Sequence, residues 1–142
     1  MGAATVLIAS GEELHENVKV IIADCGYTSE WDEFKCEANA LHIPWVPVLN
    51  AASVMSRLRD GYDFKQASAL EKVKQSRIPT LFIHGSDDEL VPYSMLDKLY
   101  SAAACEKECL TVNGAGHALS SSVEPELYWN TVESFIEKYS GK

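Results

Sequence analysis

Two short apolar runs constrain this chain more than anything else in it. Val18 to Ala23 (VKVIIA) and Thr80 to His84 (TLFIH) are rich in β-branched side chains and too short for helices. Runs of this kind suit strands buried on both faces, as in a parallel sheet covered by helices. Cys109 to Val112 predicts a third strand. The stretches between them carry helical spacing. Gly2 to Ser10 predicts a helix that stops at Gly11, a residue able to take a left-handed backbone. Trp31, Phe34, Ala38 and Leu41 recur at helix spacing after a capping Ser29, with Pro44 and Pro47 interrupting. Leu49, Ala52, Met55 and Leu58 resume the period up to Asp60-Gly61. Met95 to Ala103 predicts a helix after Pro92. Gly114 to Ser122 reads as a loop, and Leu127 to Tyr139 as a closing amphipathic helix with Pro125 in its first turn. Strands alternating with helices predict an α/β fold with about three parallel strands.

With 142 residues the chain has the size of one domain, able to bury roughly two-thirds of its unfolded surface. Twelve basic residues against 21 acidic ones give a net charge of -9. Nucleic acid and anionic membrane surfaces are therefore excluded as partners, because both need clustered Lys and Arg. No run approaches the roughly 20 apolar residues that span a bilayer. The apolar start from Met1 to Gly11 lacks the positive flank of an export signal, and Glu12 and Glu13 follow it. Cys25, Cys36, Cys105 and Cys109 show no ligand-like spacing, so free thiols and a cytoplasmic location are expected.

In a parallel sheet the loops after the strands gather at one edge, where sites are built. Here those loops carry Asp24, then His84 to Asp88, then His117. Flanking glycines give His117 a tight backbone path, and a histidine so placed is a candidate general base. It needs an orienting carboxylate, for which Asp87 and Asp88 both qualify, or it is a surface histidine beside a solvated acidic turn. His84, Asp87, Asp88 and His117 have the donor types of a metal site, but no fixed-spacing metal motif. No cofactor is expected. Asp24 is a site residue or a loop brace. Cys25 reads as packing, since nothing beside it in sequence would lower its pKa. Trp31, Phe34 and Trp45 read as core or as the lining of an acyl pocket.

Ile83-His84-Gly85-Ser86-Asp87-Asp88-Glu89-Leu90-Val91-Pro92 resembles the H-G-x-x-D-x-x-V-P segment of α/β-hydrolases, whose aspartate aligns with Asp88. Gly114-Ala115-Gly116-His117 resembles the terminal G-x-G-H loop of that superfamily. Ile21 to Ser29 is similar to the strand that follows the nucleophile helix in its esterase and peptidase-like branch. The resemblance implies a Ser-Asp-His triad acting on carboxylic esters, thioesters or amides, with Asp88 as the acid and His117 as the base. It places Met1-Gly2 at the end of the G-x-S-x-G elbow, with the Met1 N–H as an oxyanion donor. The serine would then be the residue before Met1.

On that resemblance residues 1–142 are expected to be the C-terminal half of a hydrolase domain, truncated at its N-terminal side. This chain is then expected to lack the nucleophile and to be inactive alone. The alternative is a non-catalytic interaction or scaffold domain that keeps the fold. Residues 31–75 lie where the fold often inserts a helical lid. A small acyl substrate is the expected partner of the full-length form. Homo-oligomerisation is expected through the free sheet edge or the uncovered helix faces.

Overall fold

A computed structural model describes residues 1–141. The elements run α1 (Gly2–Ala9), β1 (Ile21–Asp24), α2 (Glu30–Ala40), α3 (Trp45–Asp60), α4 (Ala69–Val73), β2 (Thr80–Gly85), α5 (Ser94–Ala102), β3 (Lys107–Val112), α6 (Ser120–Val123) and α7 (Pro125–Ser140). The three strands form one parallel sheet in the order β1-β2-β3. Asp24 pairs with Ile83, and Gly85 with Val112, so the strands end together and their following loops share one edge.

Helices cover both faces of the sheet. Phe82 of β2 points into a cluster with Leu7 of α1, Val73 of α4 and Leu99 of α5. Leu81 and Ile83 point the other way, into Leu110, Val112 and the α7 residues Val132 and Phe135. Central β2 is thus buried at all six positions, as its apolar run predicts. β1 differs from expectation. It begins at Ile21 rather than Val18, and its burial alternates, because it pairs with β2 alone among the described residues.

The middle of the chain is more helical than its prolines suggest. Ser29 caps α2 by accepting the Asp32 N–H at 3.1 Å. Pro44 sits at the N-cap of α3, and Pro47 lies in the first turn, where a missing N–H costs no helical bond. Gly61 ends α3 with φ at 81°. By contrast Gly11 does not have a positive φ; a side chain there would collide with Lys72. Of the apolar period expected on α3, Leu49 is buried while Met55 and Leu58 are exposed. The short helices α4 and α6 were not expected from periodicity, being too brief to show one.

Candidate functional site

Three strand-end loops converge at the shared edge. The loop after β2 carries Asp88, whose Oδ1 accepts the N–H groups of Leu90 at 3.0 Å and Val91 at 2.8 Å. Its other oxygen lies 2.8 Å from Nδ1 of His117, which comes from the loop after β3, 29 residues further on. Asp88 is buried and His117 partly open to solvent. Burial alone would raise the carboxyl's pKa. The bonds from Val91, His117 and Cys25 outweigh it and hold the pKa below the ordinary range. An ionised Asp88 facing Nδ1 keeps a proton there and leaves the Nε2 lone pair free to accept one. Among the described residues no hydrogen bond reaches Nε2.

The loops interlock because small residues let them. A side chain at Gly85 would overlap the Ala115 carbonyl oxygen, which instead accepts the Asp87 N–H at 3.0 Å. Gly114 takes φ at 75° and donates its N–H to Ser86 Oγ at 2.8 Å. Asp87 is not beside His117. Its carboxylate accepts the Ser86 hydroxyl at 2.7 Å and is exposed, so it braces the loop. His84 is fully buried: its Nε2 donates to the Val91 carbonyl at 2.9 Å and lies 3.4 Å from Oδ2 of Asp88, with Nδ1 unpartnered. The four-residue metal group of His84, Asp87, Asp88 and His117 does not assemble: Asp87 is turned out to Ser86, and the His84 nitrogen that faces Asp88 carries the proton it gives to the Val91 carbonyl.

Asp24 is a brace too. It accepts the Cys25 thiol at 3.2 Å and the hydroxyl of Tyr128 on α7. That bond, the Asp24 charge and, above all, burial push the Tyr128 hydroxyl up to about 12. Cys25 is more than packing. Its backbone has φ at 55°, and its Sγ accepts the Ala118 N–H at 3.3 Å. One ligand atom each of Cys25, Asp88 and His117 lie within 4.8 Å of one another. Burial pushes the thiol up to about 12, opposed by its backbone hydrogen bonds.

A cavity of about 160 Å³ opens beside His117, room for more than one water. Met1, Tyr27, Glu33, Phe34 and Leu90 line it with His117. Phe34 packs on Phe64, ring centroids 4.9 Å apart, whereas Trp31 and Trp45 pack edge to face with each other. Met1 lies at the N-cap of α1, with its carbonyl accepting the Thr5 N–H at 3.1 Å. Glu33 is a residue that sequence reasoning missed. It is 8% exposed, its Oε2 has no partner, and its carboxyl is pushed up to about 7. Burial is the main cause. The charges of Glu37 and Asp88 add to it, and those of His117 and the Met1 amino group oppose it. The signal was present: Glu30, Glu33 and Glu37 stand at i, i+3 and i+7, one face of a helix.

The serine hydrolase (FSH1) family matches residues 2–122 of this chain. The uncharacterized protein YqkD of Bacillus subtilis is 29% identical over 138 residues, 96% of this chain and 45% of that protein. Human alpha/beta hydrolase domain-containing protein 17C is 32% identical over 84 residues, 59% of this chain and 25% of that protein. Among solved structures, an esterase domain from Rhodothermus marinus aligns with a TM-score of 0.67 at 15% identity, covering 97% of this chain and 58% of that one. A Pyrococcus horikoshii acylaminoacyl peptidase aligns at 0.68 with 14% identity, covering 96% of this chain and 22% of that one. The chain spans less than half the length of these curated relatives. The family match, running over most of the chain, decides the membership: this protein belongs to the serine hydrolase family, within the α/β-hydrolase superfamily.

Proposed function

We propose that this chain carries the acid-and-base half of a hydrolase acting on a carboxylic ester, thioester or amide. The observation that carries the reading is the 2.8 Å contact between a buried, backbone-anchored Asp88 and Nδ1 of a half-open His117. In that arrangement Asp88 fixes the tautomer and stabilises the imidazolium, while Nε2 takes the proton of an attacking serine hydroxyl. The serine oxygen then bonds to the acyl carbon and the carbonyl π electrons move onto oxygen. With a residue joined ahead of Met1, the Met1 peptide N–H and the start of α1 suit the stabilisation of that oxyanion. His117 next protonates the leaving group, and water repeats the sequence on the acyl-enzyme.

The nucleophile belongs to the elbow position ahead of Met1. Ser10, Ser53 and Ser86 are engaged elsewhere, with Leu7, Phe64 and Asp87, while Ser120 Oγ is buried without a partner; no serine of the chain stands in a G-x-S-x-G frame. We read residues 31–75 as a cover over the acyl site, with Phe34 of α2 lining it beside Glu33 and Glu37.

Intact-mass spectrometry after a fluorophosphonate probe tests this reading. The 142-residue chain gains no adduct, while a form with a serine directly before Met1 is labelled stoichiometrically. His117→Ala slows that labelling on the order of 10⁴-fold or more. An adduct on the 142-residue chain, absent after heat denaturation, would place the nucleophile within it and overturn the assignment.

A further inference from the structure

The three side chains that meet at the strand ends, Cys25 beside the proposed acid and base, also make up a ligand set. We propose that Cys25, Asp88 and His117 bind one thiophilic divalent cation of the zinc type. The donor atoms, one sulfur, one oxygen and one nitrogen, lie within 4.8 Å of one another and come from three different loops. Bonds of about 2.3 Å to sulfur and about 2.0–2.1 Å to nitrogen and oxygen put tetrahedral ligand atoms roughly 3–4 Å apart. Closing the site then changes the donor separations by at most about 1–2 Å, within reach of side-chain rotation.

The surroundings suit such an ion. Oδ1 of Asp88 is held by the Leu90 and Val91 N–H groups. Oδ2, which faces His117 Nδ1 at 2.8 Å and His84 Nε2 at 3.4 Å, is therefore the oxygen that meets a cation, and the cation takes the place of the His117 proton between them. The Ala118 N–H already points at Cys25 Sγ, the outer-shell donor that a metal-bound thiolate needs. Thiolate with imidazole selects against magnesium and calcium, which take oxygen donors. Three protein ligands leave the fourth position to water, and the partly open His117 gives the ion a way in.

On binding, the Cys25 thiol proton leaves to solvent and the sulfur lone pair bonds to the metal. Asp88 gives one oxygen lone pair and His117 one ring lone pair, and the ion sheds its waters. A ring so bound has no free lone pair for a proton, whichever nitrogen it uses. The ion therefore switches off the base. That consequence rests on the role proposed above for His117; the binding itself does not.

Cobalt(II), a spectroscopic substitute for zinc, gives the test on the metal-stripped chain. A variant with Cys36, Cys105 and Cys109 changed to Ser is expected to bind one equivalent and show a near-ultraviolet thiolate-to-cobalt band. Zinc is expected to displace it. Cys25→Ser removes the band, and Asp88→Asn weakens cobalt binding by more than the roughly 10–100-fold that outer-shell losses cost. Circular dichroism of each variant checks that it is folded, and Cys25→Ala stands in should Cys25→Ser not fold. No band in the triple variant, or an unchanged band in folded Cys25 variants, would overturn the proposal. Either result would leave the pairing of Asp88 with His117 untouched.

Discussion

Glu33 lines the cavity beside His117, and Asp88 lies buried behind that histidine. The two carboxyls are pushed in opposite directions, which sets how the protein responds to pH. Asp88 is held below its ordinary value of 3.8, so its stabilisation is present above that value and lost as pH falls through the folded one. Glu33 is raised from 4.5 to about 7, so the folded state holds its proton where the unfolded chain has released it. Stability then declines as pH rises from 4.5 to about 7, and stays reduced above that. Glu33→Gln is expected to flatten this slope and to stabilise the protein above pH 7 by about 1–3 kcal/mol. Urea denaturation between pH 5 and 9 checks it, and a variant that keeps the slope would assign it to another group. The groups facing Glu33 that shape this curve are Glu37, Asp88, His117 and the Met1 amino group.

At the scale of elements, the close approach of the β2 end to the loop before His117 holds the site together. Gly85→Ala drives a methyl into the Ala115 carbonyl, against backbone that cannot yield cheaply. We expect a loss of about 1–3 kcal/mol in thermal or urea melts, with displaced His117 resonances. Unchanged melts and resonances would show that the loop relaxes freely. This region was the most legible in sequence, because β2 is central and its run is apolar throughout. β1 was less so: as an edge strand it alternates, and Val18 to Val20 lie outside the ladder despite their composition. α4 escaped because five residues show no period, though Ala69 and Val73 are core. Cys25 and Glu33 escaped for a different reason. Their roles depend on contacts with residues far along the chain, which local spacing does not encode.

The whole molecule places the Asp88–His117 pair on a sheet whose β1 edge pairs with no strand among the described residues. Beside that edge Val6, Leu14, Val18 and Val20 line an apolar hollow. Met55 and Leu58 add exposed apolar surface on α3. Unpaired edges and apolar patches drive association, so self-association that grows with concentration is expected in sedimentation velocity. Val18→Lys should weaken it; a compact monomer at all micromolar concentrations would contradict it. Among the described residues no helix is long and apolar enough to cross a membrane. The functional reading rests most directly on the Asp88–His117 pair, and proton NMR of the histidine ring N–H groups tests it. The account predicts a strongly downfield, exchange-protected Nδ1 proton that Asp88→Asn removes and Asp87→Asn leaves in place. A signal that survives Asp88→Asn, or disappears with Asp87→Asn, would contradict it.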